Sequence, residues 1–196
     1  MRKNPKRILG LGMVVAGSIL VGVFLGWSLY QTRVLSFDTS RLPMTELANE
    51  EFRQPLPVQV EIESVEINLP VEEARIINGI WEISKTGASH WENSANPGEN
   101  GNVVIYAHNK NSLFGPIRWL ELGDVIGLKN SQGQTFQYKV VETVVVNPNT
   151  IDYVLPTREE RLTLYTCTNF MDKDRYIVIS EPIRDILVTD QSQEQI

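Results

Sequence analysis

Thr163-Leu164-Tyr165-Thr166-Cys167-Thr168 is an apolar run, and after the polar connection Asn169 to Asp174 come Arg175 and a second run, Tyr176-Ile177-Val178-Ile179-Ser180. Short apolar runs bounded by turn residues read as strands. A third such run, Val103-Val104-Ile105-Tyr106-Ala107, ends at His108. Cys167 is the only cysteine of the chain, so no intrachain disulfide is available. A thiol, a strand-end imidazole and a guanidinium make a nucleophile, its proton partner and a group for an oxyanion, provided that the fold brings them together. The thiolate is the reactive form of cysteine, and a neighbouring cation favours it. Histidine takes and returns protons near neutral pH, and arginine holds a fixed charge where negative charge develops. The plainer alternative is an inert core cysteine, a loop histidine and a solvated hairpin-tip arginine.

Working outward, the rest of the chain reads as short strands between turns. Val60 to Ile67 approaches a period of two, and Asn68 to Glu73 reads as a turn around Pro70. Glu72 to Gly79 reads as a brief helical or turn segment. Residues 87–101, rich in Gly, Asn and Ser, read as loop, with turns at Pro97-Gly98 and Asn100-Gly101. Leu113 to Leu122 reads as a short helix or pair of turns. Val125 to Leu128 and Thr135 to Val146 are strands about a hairpin turn. Pro148 to Glu160 is a polar connection with an apolar island, Ile151 to Leu155. This pattern suggests a closed or sandwiched β domain.

The N-terminus speaks to location. Ile8 to Tyr30 carries no charge over 23 positions. At about 1.5 Å per residue that is long enough to cross about 30 Å of hydrocarbon. Arg2, Lys3, Lys6 and Arg7 precede it, and no acidic residue occurs before Asp38. The charge bias places the N-terminus in the cytoplasm and the remainder outside. A cleaved signal peptide is the competing reading, but the run is long and ends on the bulky Gly26-Trp27-Ser28-Leu29-Tyr30. The expected organisation is a cytoplasmic N-terminus (1–7), a membrane helix (8–30), an extracellular stalk (31–57) with a helical piece around Thr45 to Phe52, and a compact domain (58–196). The net charge of the chain is −6. This acidic balance argues against nucleic acid as a partner. No metal or cofactor is assigned. Two histidines and one cysteine are widely scattered, and the strand glutamates Glu61, Glu63, Glu66, Glu72 and Glu73 read as solvated faces.

Together, these residues resemble the sortases, membrane-anchored cysteine transpeptidases of Gram-positive surfaces. The resemblance runs from about Val58 to Ser180. It rests on Thr163-Leu164-Tyr165-Thr166-Cys167, on Arg175 opening the next strand and on Val104-Ile105-Tyr106-Ala107-His108. Phe114, Leu120, Leu122, Gly123-Asp124 and the loop Ser94 to Asn102 add to it. It implies an eight-stranded sortase-type β-barrel with short helices behind one membrane helix. It implies Cys167 as nucleophile, His108 as acid/base partner, Arg175 as oxyanion or substrate-orienting group, and Thr166 as a substrate-binding residue. Phe170 and Met171 are candidates for shaping the peptide pocket, with a core role as the alternative.

The implied substrates are surface proteins or pilins bearing a C-terminal LPxTG-type sorting signal. The implied acceptor is an amine of a peptidoglycan precursor or a pilin. Hydrolysis by a membrane-anchored cysteine peptidase, pilus assembly and a non-catalytic adhesion domain are the alternatives. The chain departs from the family's usual Gly-His-Arg with Ala107-His108-Asn109, which is expected to alter loop packing more than chemistry. His90 resembles a frequent non-catalytic histidine of the family. Trp91 and Trp119 read as packing residues. With no Asp-Pro-aromatic motif before the barrel, the profile leans to a class A, D or E type.

Overall fold

The computed structural model describes residues 5–33, 36–42, 54–169 and 172–184; within the N-terminal helix, side chains are described for residues 12–27. Helix α1 spans Pro5–Arg33. Its described apolar side chains, among them Met13, Leu20, Phe24 and Trp27, are exposed. Among the described residues no helix is long and apolar enough to cross a membrane. The side chains of 8–11 and 28–30 of the expected span lie outside that set, as does the expected helical piece at Thr45 to Phe52.

Among the described residues ten strands follow: β1 (Pro57–Ile62), β2 (Ile67–Ala74), β3 (Ile76–Ile77), β4 (Ile80–Trp81), β5 (Ala88–Trp91), β6 (Asn102–Tyr106), β7 (Val125–Asn130), β8 (Thr135–Val146), β9 (Arg161–Thr168) and β10 (Asp174–Pro182). Eight of them close into a barrel in the order β1-β2-β5-β6-β9-β10-β8-β7, and β3-β4 forms a separate ribbon. Closure leaves no unpaired edge in the barrel. The expected eight-stranded β-barrel with short helices is therefore the observed architecture.

Alternation along the strands separates two apolar clusters. Val103, Ile105 and Ala107 on β6 and just beyond, Leu162 and Leu164 on β9, and Val178 on β10 point into the barrel interior with Phe114 and Ile117. Val104, Tyr106, Tyr165, Cys167, Ile177 and Ile179 belong to a second cluster on the outer face. Because β6, β9 and β10 are covered on both faces, they read as near-continuous apolar runs, and for that reason the sequence reveals them.

Three local expectations are corrected. The strand read at Val60 to Ile67 is broken by a 3₁₀ turn at Glu63–Val65, closed by Glu66 in the left-handed region (φ 54°). The chain reverses there, pairing Ile62 with Ile67, and β2 runs on through Pro70, which ends the β1–β2 ladder opposite Gln59. The helical alternative at Glu72 to Gly79 gives way to strand and a hairpin: Asn78 (φ 52°) and Gly79 (φ 75°) turn β3 into β4. Asn-Gly is the pair that supplies two successive positive φ angles most readily. Within the stretch read as loop, Ala88–Trp91 forms a fully buried strand parallel to β2. The polar Ser89 and His90 conceal it from a hydrophobicity reading.

Candidate active site

Cys167 lies on β9 directly opposite Arg175 on β10. On its other side β9 runs parallel to β6, with Tyr106 level with Tyr165, and the Ala107 amide continues the ladder by donating to the Tyr165 carbonyl (3.3 Å). Two positions past Tyr106 stands His108, and two positions past Tyr165 stands Cys167. Three neighbouring strands thus deliver thiol, imidazole and guanidinium to one end of the barrel.

The loop after His108 is tightly specified. The His108 carbonyl accepts from the amides of Lys110 (2.8 Å) and Phe114 (3.2 Å), and the Lys110 carbonyl accepts from those of Leu113 and Gly115 (both 2.9 Å). A Cβ on Gly115 would stand 2.7 Å from the Lys110 carbonyl oxygen, so only glycine permits that approach. Asn109, where the family's pattern has arginine, accepts from Arg118 Nη2 through its Oδ1 (3.0 Å).

Thr166 alternates to the barrel side of β9. Its hydroxyl donates to the Ala107 carbonyl (2.8 Å), the residue before His108. Its described contact therefore ties the cysteine strand to the histidine strand. Phe170 and Met171 lie outside the described residues. They are flanked by Asn169 and Asp172, both at positive φ (65° and 54°), residue types that tolerate the left-handed region.

Arg175 is 2% exposed. Its Nη1 donates to the carbonyls of Asp172 and Asp174 (3.1 Å each), its Nη2 to the carbonyl of Ser36 (2.7 Å), and its guanidinium lies 5.8 Å from the centre of the Phe37 ring. Among the described residues it makes no ion pair. Burial pushes the Cys167 thiol up to about 12; Arg175 pulls it back down and Asp172 raises it further. His108, half-buried, is lowered from the ordinary histidine range by desolvation and by Lys110, with Asp172 opposing. One carboxylate, Asp172, therefore acts on both groups, which places them in a common electrostatic neighbourhood. At neutral pH thiol and imidazole are both uncharged.

The wall beside this site is the β8–β9 connection. Asn102 Nδ2 donates to the carbonyls of Tyr153 (2.9 Å) and Leu155 (3.0 Å), and Thr163 Oγ1 donates to Asn102 Oδ1 (2.7 Å). These bonds seat Ile151 and Val154 in the outer cluster. His90 is buried, with Nε2 beside the Ala95 carbonyl and Ser94 Oγ (3.0 Å each), a structural position. Trp91 is core, as expected. Trp119 is not: it is 62% exposed, with the Arg118 guanidinium 5.7 Å from its ring. The sequence reading missed Trp81, which packs against Tyr106, Tyr165 and Trp91 at centroid distances of 5.2–6.0 Å. The signal for it was Asn78-Gly79 between two apolar pairs. No group of residues suited to holding a metal ion occurs among the described residues.

A family model, the Sortase domain, matches residues 60–183. Sortase D of Bacillus subtilis (strain 168) is 30% identical over 112 residues, which is 57% of this chain and 54% of that protein. The match thus spans about half the length of that curated relative. Among solved structures, a Clostridium perfringens Sortase D5 transpeptidase is similar with a TM-score of 0.57 at 30% identity, covering 68% of this chain and 84% of its own. Sortase C of Streptococcus pneumoniae is similar with a TM-score of 0.58 at 27% identity, covering 74% and 83%.

Proposed function

This chain belongs to the sortase family, and from that premise we propose that it is a cysteine transpeptidase acting on a C-terminal sorting signal of LPxTG type. The observation that carries the reading is the register: Cys167 stands opposite Arg175 across one ladder, and the other ladder ends at Tyr106 and Tyr165, each two positions before His108 and Cys167. Cys167 Sγ attacks the carbonyl carbon of the Thr–Gly bond, and the carbonyl oxygen takes the electron pair beside Arg175. Collapse breaks the C–N bond, and the His108 imidazolium protonates the departing glycine amine. The thioester is then attacked by an amine of a peptidoglycan precursor or a pilin. His108 takes the amine proton as the C–S bond breaks, which restores the thiolate–imidazolium pair, and transfer of that proton to sulfur returns the neutral thiol and imidazole.

The raised thiol and lowered imidazole make the thiolate–imidazolium pair a minor tautomer of the resting site, and Arg175 is the fixed charge that favours it. The proposed location is a single-pass anchor through residues 8–30, N-terminus inside and barrel outside, supported by the charge bias and the exposed apolar surface of α1. The relatives named Sortase D favour a class D assignment within the expected profile.

The test incubates the full chain in detergent with a library of LPxTG-type peptides and excess glycine- or lysine-like amines, read by mass spectrometry. A thioester on Cys167 and amine-ligated product, both absent in Cys167→Ala, are expected. Cleavage without ligation would assign a peptidase, and no adduct with a folded chain would sink the enzymatic reading.

A further inference from the structure

The β3–β4 ribbon sorts its side chains by alternation. Ile76 and Trp81 are paired across it, and both pack in the apolar cluster that contains Cys167. Ile77 and Ile80 form the next pair, on the other face, either side of the Asn78-Gly79 turn. They are 50% and 36% exposed. From Ile76 to Trp81 no residue carries a charge. Scattered apolar residues on a surface need no account. Two branched side chains directly opposed on an uncharged hairpin tip make a continuous apolar surface.

The position of the tip selects its partner. Helix α1 packs beside β4, and its described apolar side chains are exposed. Trp27, exposed on α1 about 9 Å before the helix ends, is the residue type that marks a membrane interface. Ser36 stands three positions past Arg33, the last residue of α1, a reach of at most about 11 Å. The Trp81 amide donates to Ser36 Oγ (3.3 Å), and a Cβ on Gly79 would stand 3.1 Å from Thr39 Oγ1. Both the second strand of the ribbon and its turn are therefore held close to the end of α1. With α1 across a bilayer, the tip lies at the outer interface, where apolar side chains are buried about 5–10 Å into the headgroup–acyl boundary.

We propose that the β3–β4 ribbon is a membrane-seating hairpin: Ile77 and Ile80 insert side by side into the outer-leaflet interface of the bilayer that α1 crosses. The partner is the acyl region of the lipid rather than a headgroup of particular charge, because the tip is neutral. The proposal rests on the reading of residues 8–30 as an anchor. Its consequence reaches the active site. Trp81, on the inner face of the ribbon, packs on Tyr165 at 6.0 Å, and Tyr165 lies two residues, about 7 Å of strand, from Cys167. A seated ribbon holds the face that carries Cys167 at a fixed height over the membrane, where otherwise the barrel would swing at the end of α1.

The test uses the full chain with Cys167→Ala, which removes its only thiol, and Ile77→Cys labelled with the environment-sensitive dye NBD. The protein is reconstituted into phosphatidylcholine vesicles that carry a nitroxide quencher at the top of the acyl chain. A probe at Gln132→Cys, exposed on the β7–β8 turn, is the comparison. The probe at 77 should emit further to the blue and be quenched about threefold more than the probe at 132. Adding Ile80→Asp should return it to the level of 132, because a charge beside the probe opposes insertion. Equal quenching at 77 and 132 in vesicle-bound protein overturns the proposal and leaves the anchor standing. Quenching at 77 that survives Ile80→Asp also overturns it, as mere nearness to the helix. A blue shift without lipid quenching overturns it in favour of a protein partner, a second copy included. Protein that does not float with the vesicles sinks the anchor reading and the proposal with it. If the Ile77→Cys protein lacks a cooperative thermal transition, the reciprocal pair, a probe at Ile80→Cys with Ile77→Asp, decides.

Discussion

Arg175 stands directly across the antiparallel β9–β10 ladder from Cys167, and its guanidinium is held by main-chain carbonyls of Asp172, Asp174 and Ser36. A lysine cannot reproduce that fork, because its ammonium is a single point on a flexible stem. Arg175→Lys should lower kcat/KM by about 10²-fold and Arg175→Ala by about 10³-fold. Arg175→Ala should also move the pH at which Cys167 alkylates further up, since Arg175 is the group that lowers it. Activity retained in Arg175→Ala would remove Arg175 from the oxyanion role.

The pH profile follows from the two shifts. Productive attack needs a deprotonated thiol and a protonated imidazole, and the share of that tautomer is constant between the two pKa values. The acid limb of kcat/KM should therefore lie below the ordinary histidine value of 6.5, and the thiol limb should lie toward 12. Asp172 raises both groups, so Asp172→Asn should move both limbs to lower pH. Iodoacetamide rates against pH check the thiol limb; a limb that moves up in Asp172→Asn would contradict the assignment.

Thr166 supplies a hydroxyl to the Ala107 carbonyl from a buried position. Thr166→Val keeps the shape and leaves that carbonyl without its donor, at a cost of about 1–2 kcal/mol in denaturant unfolding. By loosening the strand that carries His108 it should also reduce kcat by about tenfold or more. Thr166→Ser should restore both. Normal activity in the valine variant would confine Thr166 to packing.

Gly115→Ala places a methyl group 2.7 Å from the main-chain oxygen of Lys110, an atom that cannot swing aside. The loop behind His108 must shift, with a stability loss of about 1–3 kcal/mol and a larger proportional loss in kcat than in peptide affinity. Wild-type kcat in a folded Gly115→Ala protein would show that the loop does not set the imidazole.

The sequence by itself determined the strands at the heart of the site and the kinds of side chain they carry. β6, β9 and β10 are covered on both faces, so their apolar character survives in one dimension, and Cys167, His108 and Arg175 sit at their ends. β5 was hidden because Ser89 and His90 are polar yet buried, with Ser89 Oγ accepting from the Ser84 amide and His90 Nε2 beside the Ala95 carbonyl, contacts that hydrophobicity does not register. The Asn78-Gly79 hairpin was written plainly but lay between strands of two residues each, too short for a periodicity to emerge. Only tertiary structure decided that Phe37 is buried and that Arg175 is spent on the Ser36 carbonyl. A lone aromatic in a polar segment has no pattern of its own, and its burial depends on Trp81, Tyr165 and Arg175, which lie far along the chain and meet it only once the barrel closes.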